Sequence, residues 1–118
     1  MSQLVFLIGY MGAGKTTIGQ RLAKRLNCEF IDLDWVIEER QGKAISDIFH
    51  NEGEEVFRKI EQKVLHEVCE EITEKATENA VLALGGGTNC FFDNMDIVNK
   101  YGKSVYIKAK TETLITHI

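Results

Sequence analysis

Five apolar residues, Leu4-Val5-Phe6-Leu7-Ile8, run directly into Gly9-Tyr10-Met11-Gly12-Ala13-Gly14-Lys15-Thr16. That junction constrains the fold more than any other stretch. The octet has the form G-x-x-x-x-G-K-T, in which glycines let the backbone turn so that successive N–H groups face phosphate oxygens. The apolar run predicts a buried strand, and a helix is expected to open at Lys15, adding its positive dipole end. In this pattern Lys15 reaches the β- and γ-phosphates and the Thr16 hydroxyl sits on Mg²⁺. The alternative, a glycine-rich strand-to-helix turn with no ligand, must explain why strand, loop and lysine are all in register.

The rest of the chain alternates strands with helices. Ile18, Leu22, Ala23 and Leu26 line one face of the first helix, and Glu29-Phe30-Ile31 reads as a second strand ending in Asp32-Leu33-Asp34. A short helix is expected from about Trp35 to Gln41, stopped by Gly42, and Ser46 is expected to cap a further turn through Phe49. From Glu54 to about Lys75, Val56, Phe57, Ile60, Val64, Leu65, Val68, Cys69 and Ile72 make one stripe at helical spacing. Ala80–Leu84 reads as a buried strand broken by Gly85-Gly86-Gly87, and Asp93 or Asn94 as the start of a helix ending before Gly102. Ser104–Lys108 reads as a fourth strand, and Thr111 as the cap of a last helix. This pattern predicts an α/β fold with a parallel sheet, right-handed crossovers and one ligand-binding edge at the strands' carboxyl ends.

Three loaded loops should meet on that edge. Asp32 and Asp34 are two apart, so an extended backbone would point both carboxylates to one side. One would then organise Mg²⁺ through water and the other would orient a substrate hydroxyl; the plainer alternative makes Asp34 a helix cap and Asp32 a solvated strand end. Arg58 is either a planar clamp for a carboxylate or phosphate, positioned by Glu54 and Glu61, or a surface partner of Glu54. The glycine triplet is either a flexible loop or bare backbone presented to a substrate. His50, His66 and His117 show no ligand spacing. Trp35 and Phe49 are expected in the core, with Phe49 or Phe57 as alternatives for lining the pocket.

A length of 118 residues suits one domain, residues 1–118, and a net charge of −4 argues against a general nucleic-acid binder. Cys28, Cys69 and Cys90 are odd in number and widely spaced, which suggests neither a disulfide framework nor a zinc site. With no leader-like N-terminus and no membrane-length apolar stretch, the expectation is a cytoplasmic protein without a membrane partner.

Taken together, Gly9–Gly19 with Leu22-Ala23, Asp32-x-Asp34-x-x-Ile37-Glu38, Gly42-x-x-Ile45-x-x-Ile48-Phe49, Gly53-Glu54-x-x-Phe57-Arg58-x-x-Glu61 and Leu84-Gly85-Gly86-Gly87 resemble shikimate kinase. The resemblance runs over roughly Val5 to Gly87 and more loosely to the end. It implies a three-layer α/β/α P-loop kinase of the nucleoside-monophosphate-kinase-like fold, with four parallel strands in this chain and a fifth expected beyond its end. It also implies transfer of the ATP γ-phosphate to the 3-hydroxyl of shikimate. By position, Gly12, Ala13, Gly14, Lys15, Thr16 and Thr17 would hold the ATP phosphates, with Mg²⁺ on Thr16 and Asp32 near its waters. Asp34 would hold the ring hydroxyls, Arg58 the shikimate carboxylate, and the Gly85–Gly87 backbone, Gly86 above all, the substrate. The resemblance places an arginine-bearing lid, a second carboxylate-binding arginine and an adenine-contacting segment beyond Ile118, and suggests a monomer. Another small-metabolite kinase of this fold, such as a gluconate or adenylylsulfate kinase, and a non-catalytic nucleotide-binding module are the competing readings.

Overall fold

The structure, a computed structural model, describes residues 3–9, 15–74, 79–85, 88, 94–107 and 115–117. The leading apolar run is β1 (Gln3–Gly9), and α1 (Lys15–Leu26) opens at the lysine of the motif as the spacing predicts. β2 (Glu29–Asp32) passes straight into α2 (Leu33–Gln41), followed by α3 (Ile45–Glu52) and α4 (Glu54–Glu74). The remaining elements are β3 (Asn79–Ala83), α5 (Asn94–Tyr101), β4 (Gly102–Ile107) and β5 (Ile115–His117). The sheet order is β2-β3-β1-β4-β5; the first four strands are parallel, and β5 runs antiparallel to β4.

The sheet is covered on both faces, which is why its strands read as nearly continuous apolar runs. Along β1 the side chains alternate between two cores. Leu4, Phe6 and Ile8 join the cluster formed with α2, α3, α4 and α5, whereas Leu7 joins α1, with Val5 packed beside it. A Cβ on Gly19 would run into the Phe30 ring and the Leu7 side chain, so α1 lies close against the sheet. That close approach fixes where its N-terminus, and with it Lys15, stands. On the other face α4 turns Phe57, Val64, Leu65, Val68, Cys69 and Ile72 inward. Arg40 of α2 reaches two α4 carboxylates, Glu67 at 3.0 Å and Glu71 at 2.8 Å. Among the described residues no helix is long and apolar enough to cross a membrane.

Several local expectations are corrected. α2 begins at Leu33 rather than near Trp35, because the Asp32 side chain accepts from the Asp34 N–H and caps the helix. Ser46 is not a cap: α3 begins one residue earlier, and Glu38 Oε2 takes the Ile45 N–H at 2.9 Å from the neighbouring helix. Trp35 is 60% exposed, since α2 turns Leu33 and Ile37 inward and leaves the intervening ring outside. Phe49 is at the surface boundary, 4.7 Å from the Phe57 ring, and Val56 is exposed because it stands one position off the buried stripe. The fourth strand starts at Gly102, two residues early. Thr111, Cys90 and Asp93 lie outside the described residues. Where a final helix was expected, residues 115–117 instead pair as a strand, Ile115 opposite Ile107 and His117 opposite Val105. Two β-branched residues in that triplet suit the open edge of β4.

Gly42 closes α2 as expected, with φ 68° and its N–H on the Glu38 carbonyl. A Cβ there meets nothing within 4 Å, so only the left-handed backbone opposes a side chain. Gly42→Ala should therefore lose about 1 kcal/mol of stability, read as a lower urea midpoint with an unchanged m-value.

Candidate functional site

Parallel pairing brings the carboxyl ends of β1, β2 and β3 to one edge. Ala83 stands opposite both Leu7 and Asp32, and the Leu84 N–H bonds the Leu7 carbonyl at 3.0 Å. The next residue, Gly85, therefore emerges between the end of β1 and the start of α2.

Lys15, the first residue of α1, is half-buried and donates from Nζ to the Gly9 carbonyl at 2.6 Å. Desolvation lowers its pKa, opposed by the negative charges of Asp34 and Asp32. The ammonium thus shares its surroundings with both acids. Thr16 and Thr17 follow it on α1 and are exposed. Gly12, Ala13 and Gly14 lie outside the described residues.

The two aspartates do not sit side by side on an extended strand. Asp32 has the extended conformation of an N-cap, its Oδ1 accepting from the Asp34 N–H at 3.1 Å, while Asp34 belongs to the first turn of α2. The parity argument fails because the chain becomes helical between them. The cap is Asp32, and Asp34 is the acid left facing the cleft. Its carboxylate packs on bare backbone: a Cβ on Gly85 would stand 2.5 Å from Asp34 Oδ1. Its pKa is pushed up to about 6, by burial first, then by Asp32 and Glu61, with Lys15 opposing and Glu38 adding.

Arg58, on the second turn of α4, is buried rather than a solvated surface cation. Its Nη1 lies 3.0 Å from Glu61 Oε1 and 3.3 Å from Oε2, and its Nη2 lies 3.6 Å from Glu54 Oε2. Its guanidinium carbon is 5.2 Å from the Phe57 ring centre and 6.0 Å from that of Phe49, within reach of a cation–π attraction. The two glutamates named from the sequence both engage it, and the aromatic pair walls it in.

Thr88 and Asn94 escaped the sequence reading. Thr88 Oγ1 donates to Glu61 Oε2 at 2.6 Å, its N–H bonds the Gly85 carbonyl at 3.2 Å, and its own carbonyl accepts from Asn94 Nδ2 at 2.8 Å. Asn94 reads from sequence as a helix starter; a hydroxyl directly after the glycine triplet was the available signal. Gly86 and Gly87 lie outside the described residues. Among the described residues no three His, Cys, Asp or Glu side chains cluster as metal ligands. His66 pairs with Glu70 on the outside of α4, and Cys28 and Cys69 are free thiols, Cys69 being pushed up to about 12 by burial.

A family model described as shikimate kinase matches residues 11–118. A shikimate kinase of Azobacteroides pseudotrichonymphae is 56% identical over 110 residues, which are 93% of this chain and 62% of that protein. Among solved structures, shikimate kinase from Bacteroides thetaiotaomicron aligns at TM-score 0.80 and 50% identity, over 89% of this chain and 56% of that one. Shikimate kinase from Acinetobacter baumannii in complex with shikimate aligns at TM-score 0.80 and 40% identity, over 90% and 56%. The chain spans about three-fifths of the length of the curated relatives it matches.

The raised Asp34 pKa fixes the sign of a stability effect. The folded state holds this proton more tightly than the unfolded chain, whose value is near 3.8. The resulting stabilisation is full below about pH 4 and is lost as the pH rises through about 6. Asp34→Asn should therefore raise the Tm relative to the parent at pH 7.5, and the gap should close toward pH 4 in thermal melts.

Proposed function

Because the chain belongs to the shikimate kinase family, we propose that the protein transfers the γ-phosphate of ATP to the 3-hydroxyl of shikimate, giving ADP and shikimate 3-phosphate. The observation that carries this reading is one electrostatic cluster at the sheet edge. Asp34 feels both Lys15 of the phosphate-binding helix and Glu61, which holds Arg58. On this reading Lys15 serves as the cation for the donor, Asp34 as the acceptor of hydroxyl hydrogen bonds and Arg58 as the cation for a carboxylate.

Phosphoryl transfer needs alignment and charge neutralisation more than covalent chemistry. Lys15 neutralises the β- and γ-phosphates, exchanging its bond to the Gly9 carbonyl for one to a phosphate oxygen, while Gly12–Thr17 wrap the phosphates. Asp34, ionised above about pH 6, accepts the hydrogen bond of the acceptor hydroxyl and aims its oxygen at the γ-phosphorus. Arg58 binds the acceptor carboxylate in its planar fork. The Gly85–Gly87 backbone lets the ring approach closely.

The donors here also suit magnesium. A Thr16 hydroxyl and the carboxylate of Asp32 are hard oxygen ligands, and this cation is usually held by one or two protein groups plus water and substrate phosphates. When bound it supplies neutralising charge at the phosphates. The proposal is of a monomeric cytoplasmic enzyme with no nucleic-acid or membrane partner.

A coupled ADP-release assay on the full-length protein tests this. Shikimate-dependent ADP formation should fall roughly 10²-fold or more in Lys15→Ala. Arg58→Ala should raise the KM for shikimate by about 10- to 100-fold, the range of one hydrogen-bonded charge. ATP binding without acceptor-dependent turnover would sink the proposal, and an unchanged KM in Arg58→Ala would remove the clamp. The same assay reads the pH dependence: kcat/KM should decline below about pH 6 as Asp34 takes up its proton.

A further inference from the structure

We infer that Thr88 is a positioning residue that ties the acceptor's hydroxyl-binding group to its carboxylate-binding group, through its N–H on the Gly85 carbonyl and its hydroxyl on Glu61. This rests on Asp34 and Arg58 being that pair, as proposed above. A Cβ on Gly85 would stand 2.5 Å from Asp34 Oδ1, so the backbone there lies beside that carboxylate. Thr88, whose N–H bonds the Gly85 carbonyl, donates its hydroxyl to Glu61 Oε2 at 2.6 Å. Glu61 in turn holds Arg58 Nη1 at 3.0 Å through Oε1 and 3.3 Å through Oε2.

The geometry of these bonds makes Thr88 more than a filler. Its N–H is committed to the Gly85 carbonyl at 3.2 Å, which closes the turn. Its carbonyl is tied to Asn94 at the head of α5 at 2.8 Å. With both backbone groups held, the hydroxyl has a fixed origin, and a short bond to a carboxylate is directional. It draws on Oε2 and leaves Oε1 as the nearer acceptor for Arg58, so it sets the rotation of the Glu61 carboxylate and the aim of the guanidinium. Thr88, Glu61 and Asn94 are all within 1% of full burial, so water does not compete for these bonds. Through its bonds to Glu61 and to the Gly85 carbonyl, a shift at Thr88 reaches Arg58 on one side and the backbone beside Asp34 on the other. The acceptors selected are those whose reacting hydroxyl and carboxylate match that fixed span.

The test compares Thr88→Val, which keeps the shape but removes the donor, with Thr88→Ser, which restores it. At temperatures well below melting, Thr88→Val should raise the KM for shikimate about tenfold, the factor carried by one hydrogen bond to a charge at the weak end. The KM for ATP should stay within about twofold, and Thr88→Ser should return the shikimate KM to near the parent value. In an Arg58→Ala background, Thr88→Val should add no further rise, because the strut acts through the arginine. A parental shikimate KM in Thr88→Val, or an effect that simply multiplies with Arg58→Ala, overturns the inference while leaving the kinase reading intact. Should Thr88→Val not fold, Asn94→Ala replaces it: a several-fold rise in shikimate KM supports the inference, and an unchanged KM overturns it. If the parent protein does not phosphorylate shikimate, the kinase reading fails and the strut is read without substrate. In ¹⁵N-arginine-labelled protein the Arg58 guanidinium N–H signal should be slow to exchange, lost in Thr88→Val and kept in Thr88→Ser. A signal indifferent to Thr88 overturns the strut in that case too.

Discussion

A parallel ladder delivers every strand end to the same edge, and the chemistry of this molecule depends on that ladder. β1 is paired on both sides, by β3 and by β4, and the register sets Gly9, Asp32 and Gly85 close together although they are far apart in sequence. Burial at that edge is the first cause of the shifted pKa of both Asp34 and Lys15, and each feels the other's charge. The packing of α1 on the opposite face serves the same end. Gly19 lets the helix lie against Phe30 and Leu7, so the first residue of α1 is held over the edge rather than beside it.

Four acids gather there, Asp32, Asp34, Glu38 and Glu61, against Lys15 and Arg58. Such crowding is tolerable only when most of the carboxylates are hydrogen-bonded, since a buried unpaired charge costs several kcal/mol. Three of the four are committed: Asp32 caps α2, Glu38 caps α3, and Glu61 binds Arg58 and Thr88. Of these four, Asp34 alone has no such donor among the described residues, and it is the one whose pKa rises to about 6. The acid left uncommitted by the fold is the one proposed to meet the substrate hydroxyl.

What was legible in the chain follows the strength of local signals. The Gly9–Thr16 pattern located β1 and α1 because strand, loop and lysine stand in fixed succession. The Glu54–Glu74 stripe was legible because it repeats over 21 residues. Asp32 and Asp34 were recognised as a pair, but their geometry was misread: a two-residue period holds only while the backbone stays extended, and the Asp32 cap ends the strand between them. Trp35 was misplaced because a nine-residue helix has too few turns for its buried face to stand out. Thr111 suggests a last helix in the chain, whereas residues 115–117 pair with β4, a long-range fact with no local signature. Thr88 and Asn94 were missed for the same reason, as their partners lie on α4 and in the turn.

The bond from Lys15 to the Gly9 carbonyl gives the edge a further property. In this state the ammonium is parked on the backbone, where it lowers the Asp34 pKa against the push of burial and three acids. A phosphate arriving at the loop competes for the same ammonium and adds its own negative charge beside Asp34. Both changes would favour the protonated carboxylic acid, and a magnesium ion held at Thr16 would supply charge that opposes them. If Asp34 serves the acceptor and Lys15 the donor, as proposed, the ionisation of one is tied to the charge state of the other through electrostatics. On the proposed reading the neutralising cations would do more than hold ATP: they would keep Asp34 able to accept a hydrogen bond from the acceptor hydroxyl.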